Sequence, residues 1–436
     1  MDIDEQIAQR ARAMAESMSA RRRDLHRHPE AGWMEFRTAS MVVGMLRDMG
    51  YEVSYGREVI AAEQRMGVPA EAMMEANRQR ALAEGADPEI AEAMRGGYTG
   101  VVGVMHFAAP GPVVALRFDM DCVEVTEAAD AKHRPWCEGF ASVHAGCMHA
   151  CGHDGHTAAG LAAAQILAEL KEELAGTVKF IFQPAEEGVR GARAMAAKGI
   201  VDDVDYLLAA HLTPPALGYL AYDVKGFFAT SKFDAVFRGS PTHAGATPEQ
   251  GKNSLLAAAT AVLNLQAIAR HSAGSSRINV GVLRAGSGRN VVPAEAVLQI
   301  ETRGATSEIN QYMYERAMTI LTSAAAMYEN EVQILDAGSA AGGHNSDRLS
   351  AYVGKVARGL GIFTQYETVH EPGGSEDCSC FMERVQAHGG QAAYLVLGAG
   401  TAAKNHNLYF DFDERVLPME VQLLATAVSH LLLQLG

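Results

Sequence analysis

The densest chemistry in the chain is the run His149-Ala150-Cys151-Gly152-His153-Asp154-Gly155-His156. Thiolate and imidazole groups packed this tightly are what a transition metal binds. Cys151 and His153, two apart, project to the same side if the loop is extended, and the glycines let the backbone turn closely there. Read more plainly, the run is a buried cysteine among histidines. Gln183-Pro184-Ala185-Glu186-Glu187-Gly188 closes a buried strand, because Pro184 stops the ladder, and sets two adjacent carboxylates at its end. Such neighbours need solvent or a cation. One could bind metal while the other moves protons, or both could form a solvated acidic turn. His211 follows an apolar strand at 204–210, and His406 stands in Asn405-His406-Asn407-Leu408-Tyr409-Phe410-Asp411. Each alone also reads as an ordinary core or loop histidine; their shared placement at strand ends is what raises them. Asp119, in Arg117-Phe118-Asp119-Met120-Asp121, ends another buried strand. It either accepts the second N–H of a metal-bound histidine or is a plain strand-end cap.

These residues need a scaffold, and the hydrophobic pattern supplies one. Consecutive apolar residues at 113–119, 178–183 and 204–210 suit buried parallel strands. Helices are expected at 5–30, ending near Pro29, then at 36–49, 156–170 and 190–198. The alternation argues for an α/β layer with a parallel or mixed sheet, and ligands bind such sheets beyond the carboxyl ends of their strands. The polar, Ala- and Glu-rich stretch 60–95 reads as two short helices parted near Pro88, an insertion rather than core. After 225 the texture changes. Strands at 231–238, 278–285 and 295–303 surround helices at 252–270 and 308–329, an α+β unit of about 110 residues. The α/β pattern then resumes with helix 346–360, strand 392–397 and helix 417–435.

The bulk numbers narrow the partners. A chain of 436 residues with 48% hydrophobic content buries a large core and is expected to form more than one domain. A formal net charge of −15 argues against nucleic acid, which needs clustered Lys and Arg. No run of about 18 apolar residues suggests a membrane span, and the charged N-terminus lacks an apolar signal core. The six cysteines, Cys122, Cys137, Cys147, Cys151, Cys378 and Cys380, are too few for a disulfide framework. Reduced thiols in a cytoplasmic protein are expected.

Taken in order, Leu25-His26-Arg27-His28-Pro29-Glu30, RFDMD at 117–121, HACGHDGH at 149–156, QPAEEG at 183–188, the histidine at 211 and HN-x-x-FDFDE from 406 resemble the M20 metallopeptidases over nearly the whole chain. The branch is the one with plant auxin-conjugate, hippurate and aminobenzoyl-glutamate hydrolases. GREVI at 56–60, RMGVP at 65–69, GGYTG at 96–100, HRPWCEGFAS at 133–142, SRINVGVLRAGSGRNVVPA at 276–294 and the helical insertion liken it to the aminobenzoyl-glutamate group within that branch.

The resemblance implies a zinc-peptidase-like catalytic domain with a mixed central sheet, residues 1–224 and 336–436, carrying a helical insertion at about 57–98. It implies a ferredoxin-like dimerisation and lid domain at 225–335. It assigns two divalent ions, Zn or Mn, to Cys151, His153, Glu187, His211 and His406, and the role of general base to Glu186. His243, in Pro241-Thr242-His243-Ala244-Gly245, matches a histidine that reaches into a partner's site, and Asn290 and Arg303 match substrate-binding positions. The implied reaction is hydrolysis of the amide bond of an aromatic acyl amino acid, p-aminobenzoyl-glutamate first and indole-3-acetyl-aspartate as the alternative, by a homodimer or a dimer with a related subunit. One departure stands out. Relatives read Glu-Glu-Gly-Gly-Gly-Gly-Ala where this chain has Glu186-Glu187-Gly188-Val189-Arg190-Gly191-Ala192. Arg190 is a permanent cation that a substrate with a second carboxylate would use. Two rival readings remain. An inactive metal- or amino-acid-binding accessory subunit should have lost the base or a ligand. A cysteine hydrolase using Cys151 and His153 leaves Glu186, Glu187, His211 and His406 without a task.

Overall fold

The structure, a computed structural model, describes residues 2–370 and 374–434. Contacts divide the chain into two compact units: Met1–Lys225 with His344–Pro372 and Cys380–Gly436, and Gly226–Gly343 with Gly373–Ser379.

The first unit is an α/β layer around a nine-stranded mixed sheet. Four neighbouring strands at its centre run parallel: Ala175–Gln183, Ala109–Asp119, Tyr206–Thr213 and Gln391–Gly398. All four are rich in fully buried apolar residues, among them Val114, Leu116, Phe180, Phe182, Leu207, Leu208 and Leu395. A strand buried on both faces reads as a continuous apolar run because helices cover both sides. Here the helices His153–Glu169 and Val416–Leu432 pack together over the sheet. The carboxyl ends of the strands carry Asp119, Gln183, Thr213 and Gly398, so the loops that follow gather along one edge.

The second unit has the element order βαββαβ. Its strands Ala229–Arg238, Ser276–Ala285, Glu295–Gly304 and Glu331–Ala340 form an antiparallel sheet in which the fourth pairs with the first and the third lies between first and second. This is the split βαβ arrangement of ferredoxin-like units. Helices Ser254–Gln266 and Ser307–Met327 cover one face around Phe233, Phe237, Leu265, Leu298 and Leu321.

Several local expectations are corrected. The expected helix 5–30 is two helices, Ile3–Ala13 and Ala15–Arg27, parted at Met14. The second buries Arg22 and His26 beside Met18 and Leu25, so its inner face is part charged. Strands Glu52–Tyr55, Val101–His106, Tyr219–Phe227, Glu331–Ala340 and Gln365–His370 are additional to those expected. The strand Glu331–Ala340 carries the second unit beyond residue 335. Residue 435 of the expected helix 417–435 lies outside the described residues. Among the described residues, no helix is long and apolar enough to cross a membrane.

Candidate metal centre

The expected extended loop at Cys151–His153 is instead a sharp turn. Gly152 sits in the left-handed region at φ 92° and His153 is already the first residue of the helix His153–Glu169. Glycine adopts that conformation without a Cβ penalty. His211 does not follow its strand but lies inside it, since the strand runs on to Thr213. Glu186 and Glu187 leave the end of Ala175–Gln183 through a loop with two left-handed non-glycine residues, Ala185 at φ 53° and Val189 at φ 61°. His406 has φ 65°, and its N–H donates to the Ala150 carbonyl at 2.7 Å. That bond ties the C-terminal loop to the Cys151 turn.

These loops converge. Cys151, His153 and Glu187 offer ligand atoms within 4.8 Å of one another. Cys151 Sγ lies 3.6 Å from His211 Nε2, and His406 Nε2 lies 3.3 Å from Glu187 Oε1. Glu186 Oε2 stands 3.8 Å from His153 Nε2. Asp119, His153, His156 and His211 form a second, buried group around the same histidines. His156 is already used on both sides: Nδ1 donates to Asp119 Oδ1 at 2.6 Å, and Nε2 accepts the Leu212 N–H at 3.0 Å. Its task is therefore to hold Asp119. His153 and His211 differ from it. Their Nδ1–H groups donate to the backbone carbonyls of Asp121 and Leu212, each at 2.8 Å, which leaves Nε2 as the coordinating atom. The carbonyl of Asp121, not the carboxylate of Asp119, orients His153, and this corrects the sequence reading of Asp119. The Asp119 carboxylate faces Nε2 of His153 at 3.8 Å and is anchored by Arg117 at 2.7 Å.

The donors fit divalent cations. His153 Nε2 and Glu187 Oε1 are buried without a hydrogen bond, an arrangement that is costly unless something else is bound there. Burial works against the Cys151 thiolate, but the neighbouring His211 and His153 bring its pKa down to about 5. Thiolate is the form a metal takes. Burial also opposes a charged His153 and His211, yet Asp119 and Cys151 respectively raise both. The neighbouring Cys151 and Glu187 push His406 up to about 10. The centre thus favours positive charge from several directions.

Asp121 is the residue that sequence reasoning missed here. Its carboxylate accepts the N–H groups of Glu186 at 3.0 Å and Glu187 at 2.9 Å. Its spacing of two from Asp119 at the end of a strand was the available signal. Arg190 is half-buried; Nε donates to the Glu187 carbonyl at 2.8 Å and Nη1 to the Gly67 carbonyl at 3.1 Å. In the second unit, His243 is exposed and its Nδ1 accepts from the Gly245 and Ala246 N–H groups, both at 3.1 Å. The Asn290 carbonyl accepts from Ala244 N at 3.0 Å, and Arg303 pairs with Glu301 at 3.0 Å.

Residues 115–430 match the sequence profile of peptidase family M20/M25/M40, and the chain belongs to that family. It is a metal-dependent amidohydrolase. It is similar to a p-aminobenzoyl-glutamate hydrolase subunit of Escherichia coli (strain K12), with 48% identity over 423 residues and 97% of each chain covered. It is also similar to indole-3-acetyl-aspartic acid hydrolase of Enterobacter agglomerans, with 47% identity over 427 residues and 98% of each chain covered. Among solved structures it resembles an aminobenzoyl-glutamate utilization protein from Klebsiella pneumoniae at a TM-score of 0.84, with 41% identity and 98% of each chain covered.

Proposed function

We propose that this protein hydrolyses the amide bond between an aromatic acyl group and an acidic amino acid, with p-aminobenzoyl-glutamate as its substrate. The observation that carries the reading is the convergence of Cys151, His153 and Glu187 ligand atoms, two of them buried without a hydrogen bond, beside the Glu186 carboxylate. The two relatives named for glutamate and aspartate conjugates support the acidic leaving group, and they keep indole-3-acetyl-aspartate as the second reading.

Cys151, His153, Glu187, His211 and His406 would hold two divalent ions, Zn or Mn, which supply Lewis acidity to the amide carbonyl and acidify the attacking water. Glu186 takes the proton of that water and returns it to the departing amine. Asp121 holds Glu186 in place through its backbone N–H. The two backbone donors on His243 Nδ1 keep the proton on Nε2, which suits it to stabilise an oxyanion. By family resemblance this histidine serves a partner's site, with Asn290 and Arg303 binding substrate and the second unit forming the dimer. The open edge strand Ser276–Ala285 and the exposed Leu255, Leu256, Leu263 and Leu283 give that unit an apolar face to cover. The reading places the enzyme in the cytoplasm, where its free cysteines stay reduced.

Arg190 is assigned to the extra carboxylate of the leaving group through Nη2, which carries no hydrogen bond among the described residues. Hydrolysis of p-aminobenzoyl-glutamate, indole-3-acetyl-aspartate and hippurate by the metal-loaded dimer tests the whole reading. The glutamate conjugate should have the highest kcat/KM. Arg190→Ala should cost on the order of 1.5–3 kcal/mol on the two acidic conjugates and little on hippurate. A preference for hippurate would reject the substrate, an equal loss on all three would reject the role of Arg190, and a monomer in sedimentation would reject the shared site.

A further inference from the structure

The loop that carries Glu186 and Glu187 is held from behind by a second carboxyl group, far away in sequence. Ala185 occupies the left-handed region at φ 53°, which an alanine does not adopt without help; such a residue costs about 1–3 kcal/mol and persists only where its surroundings impose it. The Ala185 N–H donates to Glu35 Oε1 at 2.8 Å, and Glu35 Oε2 lies 2.5 Å from the Thr99 hydroxyl. Glu35 is fully buried. The next two N–H groups, of Glu186 and Glu187, go to Asp121. Three successive backbone donors are therefore received by two buried carboxyl groups, and the Glu35 carboxyl is the one that meets the strained residue. Gly32, three residues before Glu35, lies against the same loop; a Cβ there would come within 3.0 Å of Ala185 Cα.

We propose that Glu35 is a positioning residue for the hydrolytic reaction: by receiving the Ala185 N–H with one oxygen and meeting Thr99 with the other, it fixes the strained turn that aims Glu186. This rests on the reading of Glu186 as the general base. Thr99 stands between the helical insertion and the strand Val101–His106, so the turn is fastened to the segment that joins them. Burial, then the nearby Asp121 carboxylate, pushes the Glu35 carboxyl up to about 8, and a neutral acid there is mimicked by glutamine. The amide oxygen of glutamine accepts from Ala185, and its NH₂ donates to Thr99.

Three variants and a control test this, with kcat, KM, metal content and amide hydrogen exchange of the peptide spanning 184–190 as readouts. Glu35→Ala should lower kcat about 10²-fold, the cost of misplacing a catalytic group by about 1 Å, with KM and metal content little changed. Exchange at 184–190 should quicken. Glu35→Asp keeps the acid but withdraws it by one methylene; it should shift the same way and serves if the alanine variant does not fold. Glu35→Gln should restore kcat and slow exchange. Unchanged exchange and kcat in Glu35→Ala or Glu35→Asp, or a glutamine variant as poor as alanine, would overturn the proposal. Glu186→Gln is the control and should lose about 10²–10⁴-fold in kcat with metal retained. Full activity in Glu186→Gln rejects the general base and this role with it, whereas a dead Glu186→Gln beside a fully active Glu35→Ala rejects the role of Glu35 alone.

Discussion

Two clusters of imidazole and carboxylate lie in the first unit, and by residue type either resembles a metal site. His26, Glu127 and His133 bring ligand atoms within 4.8 Å, as Cys151, His153 and Glu187 do. In the first cluster those atoms already have partners. His26 Nδ1 meets Asp154 at 2.8 Å and Nε2 meets Glu127 at 2.9 Å, while His133 Nε2 meets the same Glu127 oxygen at 2.7 Å. Arg22 completes the network with Asp154 at 2.8 Å and Asp411 at 2.9 Å. In the second cluster His153 Nε2 and Glu187 Oε1 are buried with no hydrogen bond. Ligand-type residues are thus a poor sign of a metal on their own. What distinguishes the second cluster is that two of its coordinating atoms are buried and lack a hydrogen bond while the residues that bear them are anchored elsewhere.

The sharpest way to break this distinction is metal analysis of two histidine variants. His153→Asn should lose metal and nearly all activity, a fall of several orders of magnitude. His133→Asn should keep its metal and most of its turnover. Metal lost equally from both would erase the difference. A smaller but still large effect belongs to the paired cluster. Arg22→Met removes the fully buried guanidinium shared by Asp154 and Asp411 and leaves them to His26 and Arg134; breaking a buried pair costs up to about 3–5 kcal/mol. Urea unfolding should register that loss while the metal content of the folded fraction stays normal; a wild-type midpoint would show the network to be dispensable.

The smallest expected effect is a pH dependence. Burial and the Arg22 cation push His26 down, but hydrogen bonds to Asp154 and Glu127 outweigh them and its pKa is raised. A raised histidine stabilises the fold fully below its unfolded value of about 6.5, and this stabilisation is lost as pH rises through the folded value. The stability difference between wild type and His26→Gln should therefore shrink with rising pH. Each tenfold gain in proton affinity on folding is worth on the order of 1.4 kcal/mol. A difference that grows with pH would contradict a charged His26.

Much of this was legible in the sequence, and the limits have physical causes. The parallel strands showed themselves because a doubly covered strand is apolar at every position, as in Ala175–Gln183 near its end. The loops after them could be located for the same reason. The strands Glu52–Tyr55 and Gln365–His370 were invisible because short strands with polar residues carry no such run. The roles of Asp121 and Glu35 were hidden for another reason: each acts on backbone N–H groups of a distant loop, and a peptide group leaves no mark in residue type, so the spacing of Asp121 from Asp119 was the one hint on offer. Within the run 149–156, only geometry reveals that both nitrogens of His156 are taken.

The helical insertion is stitched to the catalytic loop at several points. The Gly67 carbonyl accepts from Arg190, Ala61 N donates to Ala194, Gln64 accepts from Arg193, and the Met66 carbonyl accepts from Trp33. For protein engineering this makes the loop non-portable. Grafting residues 184–191 alone into a shorter family member would transfer the side chains without the frame that shapes them. A working chimaera would have to carry 31–36, 60–67 and Thr99 along as one block, and recombination breakpoints between these segments should be the poorly tolerated ones.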